Sequence, residues 1–306
     1  MQKITDYGKV FETLIEKTED YIVGNGLRAM VLGISGGIDS TVVAAICHEV
    51  AKRTGIPLIG RSLPTKFNKE GEVTTADLVG KAFCNDFEVY SLSDIWEDVE
   101  NSFMRYESKT PTPISSGNIQ ARLRMIYLYN IASLHGGLVM DTDNLTENNL
   151  GYFTIHGDVG DFNPIGGLWK TEVFELAEWL YRYYFTSEVE HCKDLENAPQ
   201  EIKDDFDKAR ALLCSSLLKP TAGLGITNND LEEIGAESYE QVDAVLKDIL
   251  SWKCREDMFA WKERKHPLED YLKEYRIKDI PYEIIERVAV RHFRSEFKRK
   301  QLPIKL

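Results

Sequence analysis

The sequence predicts an α/β protein: a doubly wound parallel sheet followed by a helical C-terminal portion. Short apolar runs alternate with helical patterns through the first half of the 306 residues. Polar or glycine-rich segments follow those runs after Leu32, Leu63 and Met140, where open parallel sheets take their ligands. From Trp169 onward only helical periodicity remains. At 43% hydrophobic residues the chain can bury one sizeable core. Residues 1–306 therefore read as a single domain, with a possible helical insertion at 186–219.

The elements follow in order. Ile4, Tyr7, Val10, Phe11, Leu14 and Ile15 recur at helical spacing, which predicts an amphipathic first helix rather than a cleavable leader. AMVLGIS (29–35), PLIGRSL (57–63), DFEVYSL (86–92) and GLVMDT (137–142) read as strands. Helices are expected between them at 40–53, 71–84, 94–106 and 117–134, each long enough to cross between parallel strands. Further helices are expected at 172–184, 201–213, 239–250, 256–275 and 281–293. The acidic stretch SEVEHCKDLENAPQEIKDDFDKAR (187–210) suits an inserted helical hairpin or a mobile excursion.

Composition excludes several functions. Thirty-seven Lys and Arg against 50 Asp and Glu give a formal net charge of -13, which repels a polyanion and disfavours nucleic acid. Five scattered cysteines without a CxxC pair suggest reduced thiols and a cytoplasmic location. The six histidines show no metal-ligand spacing, which argues against structural zinc. No apolar run approaches the roughly 18 residues that a membrane span requires.

The chemistry starts at LGISGGIDSTVV (32–43). A strand, the loop SGGIDS and a helix start bring backbone N–H groups and a positive helix end to one point, which favours a phosphate. Gly36 and Gly37 permit close approach of the backbone, and Ser35 and Ser40 supply hydroxyl donors. The loop has neither the P-loop lysine nor GxGxxG spacing, so it is a third kind of nucleotide loop. Asp39 beside phosphate donors reads as a magnesium ligand; the alternative is a cap on the helix expected near Ser40.

SGGIDS resembles the loop of the ATP pyrophosphatase superfamily, whose Rossmann-like fold is of the adenine nucleotide alpha hydrolase type. Downstream, NIQARLRM (118–125), TDNLTENNLGYFTIHGD (142–158), GGLWKTEVFELA (166–177) and KPTAGL (219–224) are similar, in order and spacing, to the motifs of NAD synthetases. The phosphate loop begins at Gly33 and leaves no room upstream for an amidase domain, which matches the short, ammonia-dependent form. The resemblance implies a ligase that adenylates the carboxylate of deamido-NAD with ATP. Ammonia then displaces AMP.

By that resemblance, Gly33, Ile34, Ser35, Gly36, Gly37, Ile38, Asp39 and Ser40 hold the pyrophosphate of ATP, joined by Thr142, Lys170 and Thr221. Asp39 and Glu147 bind Mg2+, and Asp39 and Lys170 carry the catalytic charge. Arg61 is a further candidate on the ATP side. Arg122, Asp161, Phe297 and Lys298 fall at deamido-NAD positions, with Asp158 an alternative to Asp161 and Arg124 a structural neighbour of Arg122. Ile155 and Phe297 stand where relatives carry Lys and His. The resemblance also implies a homodimer with the substrate at its interface. The helix bearing Leu123, Ile126, Tyr127, Tyr129 and Ile131 is apolar on more than one face, as burial against a partner or within a monomer requires. Two competing readings are a tRNA-modifying pyrophosphatase and a nucleotide-binding module without catalysis.

Overall fold

The computed structural model describes residues 4–107, 109–220, 230–255 and 267–299. Helix α1 (Tyr7–Gly24) leads into β1 (Met30–Gly33), α2 (Ile38–Thr54), β2 (Leu58–Ser62), α3 (Glu70–Phe83) and β3 (Asp86–Val89). Two helices, α4 (Ser93–Glu107) and α5 (Pro113–His135), then return the chain to β4 (Leu138–Met140). The strands lie in the order β3-β2-β1-β4 and pair in parallel, with Met30 opposite both Leu58 and Leu138. The order reverses between β1 and β4, so the carboxyl ends of these two strands part and leave a crevice.

Each of the two central strands is buried on both faces, which is why it reads as an apolar run. Met30 and Leu32 point into a core shared with α1, α2 and α3. Ala29 and Val31 point the other way, against Leu123 and Leu128 of α5 and Trp96 of α4. The edge strand β3 is short and mostly exposed and carries Asp86 and Glu88, charges that discourage pairing with another sheet.

The C-terminal portion is helical. Short helix α6 (Leu145–Leu150) precedes α7 (Lys170–Tyr184), α8 (Ser187–Glu190) and α9 (Gln200–Leu217). Beyond them come α10 (Asp230–Ile234), α11 (Tyr239–Arg255), α12 (Pro267–Glu274), α13 (Tyr282–Arg294) and a 3-10 turn at Glu296–Arg299. Of the helix expected at 256–275, residues 256–266 lie outside the described residues. A second core of Trp169, Val242, Leu246, Trp252, Tyr271 and Val288 joins α11, α12 and α13 beneath α6.

Helix α9 occupies most of the 186–219 segment. Ala209, Ala211 and Leu212 enter the main core, and Ser215 hydrogen-bonds Thr41 of α2 at 2.7 Å. Apart from Leu212 its buried stripe uses small residues, Ala209, Ala211 and Ser215, so the acidic outer face dominates the sequence signal. No described helix is long and apolar enough to cross a membrane.

Candidate active site

The SGGIDS loop sits at the crevice between β1 and β4. Gly36 has φ +82°, and a Cβ there would lie 2.5 Å from the Glu72 carbonyl oxygen and 2.8 Å from the Ala76 nitrogen of α3. Only glycine lets the loop lie so close to that helix. Gly36→Val is expected to cost about 2–5 kcal/mol, combining left-handed strain with overpacking against backbone. Chemical denaturation reads this directly, and a cost below 1 kcal/mol would show that α3 yields.

Helix α2 begins at Ile38 with Gly37 as its cap residue, and no side chain caps it. Asp39 is thus the second helical residue rather than the cap, and its carboxylate is free to face the crevice. The first-turn N–H groups, which have no partner within a helix, point toward the same space. The loop is internally braced: the Gly37 N–H donates to Ser35 Oγ at 3.1 Å, and Ser35 and Ser40 share a hydrogen bond at 3.0 Å. Donors braced in this way lose little freedom when an anion arrives.

Lys170 begins α7 and is 2% exposed. Its Nζ makes a short ion pair with Asp39 Oδ2 and a second with Glu147 Oε1 at 3.0 Å. Burial works against its charge, yet Asp39 and Glu147 outweigh burial and hold its pKa well above the usual lysine value. Phe174 and Tyr239 flank the ammonium, with ring centroids at 6.0 and 5.7 Å. Glu147 feels burial first and the charge of Asp39 second, and its pKa rises to about 7 despite Lys170.

Asn144 ties the two carboxylates together. It caps α6 by accepting from the Glu147 N–H at 3.0 Å, while its own N–H donates to Glu147 Oε2 at 3.2 Å. Its side-chain amide reaches across to Asp39 Oδ1 at 2.9 Å. Sequence reasoning passed over Asn144, although Asn-x-x-Glu before a helix is a capping-box signal. The six-residue helix is too short to stand alone.

Negative charge continues toward the far end of the crevice. Asp141, 6% exposed, is pushed up to about 6 by burial, against opposing N–H donors that include Asp143 at 2.8 Å. Burial, then Asp141 and Asp158, raise Asp143 well above the carboxylate range. No hydrogen bond or ion pair to the Asp143 carboxylate is found among the described residues. Asp158 accepts from the Thr154 N–H at 2.6 Å, and burial raises its pKa as well. Among the described residues the crevice lining carries six carboxylates, Asp39, Glu72, Asp143, Glu147, Asp158 and Asp230, against four cations, Arg61, Arg124, Lys170 and Lys219.

Of the sequence-predicted residues, Gly33, Ile34, Ser35, Gly37, Ile38, Asp39, Ser40, Thr142, Glu147 and Lys170 line this crevice, with Gly36 supporting the loop from behind. Arg61 lines it too, 7% exposed, with both guanidinium Nη atoms 3.0 Å from Asp86 and its Nε unpartnered. Thr221 lies outside the described residues. Arg122 is exposed on α5 and donates to the Ile155 carbonyl at 3.3 Å, whereas Arg124 lines the crevice, bonded to the Leu63 carbonyl at 3.1 Å and Asn68 Oδ1 at 3.1 Å. Asp161 lies outside it, accepting from Tyr129 at 3.0 Å and from the Val139 N–H at 3.0 Å, while Asp158 lines it. Phe297 is 60% exposed, and Lys298 Nζ donates to the Gly151 and Phe153 carbonyls, each at 2.7 Å.

Comparison with known proteins points the same way. The model of the family described as NAD synthase matches residues 10–302. The NH(3)-dependent NAD(+) synthetase of Methanococcoides burtonii is 32% identical over 234 residues, 76% of each chain. That of Helicobacter pylori is 32% identical over 250 residues, 81% of each chain. Among solved structures, an NMN synthetase from Francisella tularensis superposes with TM-score 0.69 at 25% identity over 99% of each chain. An NH3-dependent NAD synthetase from Campylobacter jejuni shares the fold, with TM-score 0.65 at 23% identity over 99% of this chain and 100% of that one.

Proposed function

The chain belongs to the NAD synthase family, and on that premise we propose that it amidates deamido-NAD to NAD with ATP and ammonia, through an adenylate. One observation carries the reading. The buried Lys170 lies between Asp39 and Glu147 beside a braced, uncapped helix N-terminus at the sheet's switch point. That arrangement suits a triphosphate losing pyrophosphate, where developing charge must meet fixed donors. A nucleotide-binding module without chemistry has no use for a buried lysine held by two carboxylates.

In the first step a substrate carboxylate oxygen attacks the α-phosphorus of ATP, and pyrophosphate leaves. The N–H groups of residues 37–40 and the Lys170 ammonium receive its charge; Ser35 and Ser40 turn their hydroxyls from each other to its oxygens. Asp39 and Glu147 fit a divalent cation, since both carboxylates line the crevice and its lining carries more carboxylates than cations. A divalent cation such as Mg2+, held by Asp39 and Glu147, would supply charge neutralisation for the leaving pyrophosphate. In the second step ammonia attacks the acyl carbon, the bond to the phosphate oxygen breaks so that AMP departs, and the added nitrogen gives up a proton to form the amide. Asp143 and Asp158, which line the same crevice with raised pKa values, suit the acceptance of that proton.

Arg122 and Asp161 lie outside the crevice, on and beside an α5 surface that also exposes Ile114 (62%), Ile126 (63%) and Leu134 (74%). A homodimer packed through that surface covers these apolar groups and brings the two substrate-side residues into an enclosed site. The location proposed for the enzyme is the cytoplasm, consistent with buried free Cys47 and the absence of disulfides among the described residues.

A second reading keeps the chemistry and shortens the substrate to nicotinate mononucleotide. The likeness to the Francisella tularensis NMN synthetase over 99% of both chains favours it, as does Ile155, which offers no cation to a second nucleotide. Purified protein given ATP, magnesium, ammonium and deamido-NAD is expected to yield NAD, AMP and pyrophosphate in equal amounts, from a species of twice the chain mass by light scattering. ADP as product would sink the reading. Faster turnover of the mononucleotide in a parallel assay would select the second.

A further inference from the structure

Helix α6 carries Glu147, yet its six residues cannot hold a position by helix propensity. Its N-terminal end is fixed by Asn144. At its other end, Asn149 O accepts from His292 Nδ1 at 3.0 Å and from Arg299 Nη1 at 2.7 Å. Arg299 also donates to the His292 carbonyl at 2.6 Å and to Ser295 Oγ at 2.9 Å, which closes the turn on itself. Lys298 takes the next two free carbonyls, Gly151 and Phe153. Gly151 has φ +69°, and a Cβ there would collide with Ser295, so the loop after α6 lies directly on this turn.

We propose that the turn from His292 to Arg299 is a clamp on the C-terminal end of α6, and that His292 and Arg299 are positioning residues for Glu147. Two features make it more than a surface contact. Cationic donors at a helix C-terminus complement its dipole, and this helix receives two of them, Arg299 on Asn149 and Lys298 on its cap residue Gly151. His292 is 1% exposed and is bonded on both sides, with Lys253 Nζ donating to its Nε2 at 2.7 Å and its Nδ1–H donating to Asn149. Burial, then the charges of Lys253 and Arg299, depress its pKa well below the usual value and keep it neutral. Lys253 in turn lies 3.7 Å from Glu296. The ring thus links α6 to α11 and α13, and Glu147 inherits its place from residues about 150 positions away.

The inference builds on Glu147 as a metal ligand, and two readouts that need no turnover test it. In the ligand-free protein, Arg299→Ala is expected to speed amide hydrogen exchange about tenfold in peptides covering 145–152, with β1 and α2 peptides unchanged. By calorimetry, the magnesium needed to support ATP binding is expected to rise about tenfold, as when a supporting partner of a metal ligand is lost. Arg299→Lys, which keeps the charge, is expected to recover part of both effects, and His292→Gln to reproduce both effects more weakly. Arg294→Ala, an exposed neighbour, is expected to change neither. Unchanged exchange at 145–152 overturns the clamp, and so does acceleration spread equally over β1 and α2. Fast exchange at 145–152 beside an unchanged magnesium requirement overturns the link to Glu147. Failure of the amidation assay leaves the exchange readout intact, so the two readings fail separately.

Discussion

Lys170→Met is expected to reduce turnover about a thousandfold and to destabilise the ligand-free protein by about 3–5 kcal/mol at alkaline pH. The lysine is almost fully buried and, among the described residues, is the one cation bonded to both Asp39 and Glu147. Removing it leaves two carboxylates facing each other in a site largely closed to water. Glu147 can escape by taking a proton, since its pKa already stands at about 7 against an ordinary 4.5. A carboxyl with a raised folded pKa binds its proton more tightly in the fold than in the open chain. The stability this contributes is fully present below about 4.5 and is lost as pH rises from there through the folded value of about 7. The deficit of the variant is therefore small near pH 5 and full near pH 8. Chemical denaturation at the two pH values measures it, and an equal deficit at both would refute the ion-pair account. ATP–pyrophosphate exchange is expected to vanish with turnover, and its survival would remove Lys170 from the first step.

Asp39→Asn is expected to act in opposite directions on activity and stability. Turnover falls about 10²–10³-fold, because the leaving pyrophosphate loses an anchored cation. The asparagine keeps one acceptor, its Oδ1, for Asn144 or for Lys170 but not for both, and it removes a charge that raises the Glu147 pKa. Glu147 then pairs with Lys170 unopposed, and the ligand-free protein gains about 1 kcal/mol, as sites built for charged ligands often do when disarmed. Thermal denaturation with and without ATP and magnesium separates the two effects. A variant less stable than the parent without ligand, or one with near-parental turnover across a magnesium titration, would contradict the assignment.

Much of this was legible in the chain. The strands at 30–33, 58–62 and 138–140 fall inside their expected runs because a strand buried on both faces must be apolar throughout. SGGIDS was readable because backbone geometry, glycine and hydroxyl donors occur together within six residues. Helix α9 was harder. Its buried face uses Ala209, Ala211 and Ser215, so an acidic exterior masks a core element. Arg122 and Arg124 are two residues apart on one helix, and periodicity puts them on different faces without saying which face meets the crevice.

By itself the sequence determined the parallel sheet, the phosphate-binding loop and the family motifs, all of which are local patterns that the backbone must satisfy wherever the rest of the chain goes. Tertiary structure alone decided that Lys170 lies between Asp39 and Glu147, that Asn144 bridges them, and that Arg299 and His292 close on Asn149. Apart from the local cap of Asn144 on Glu147, these contacts join residues separated by 23 to 150 positions. No periodicity extends so far; only packing of the helical portion against the sheet brings those charges together in a space dry enough for them to matter.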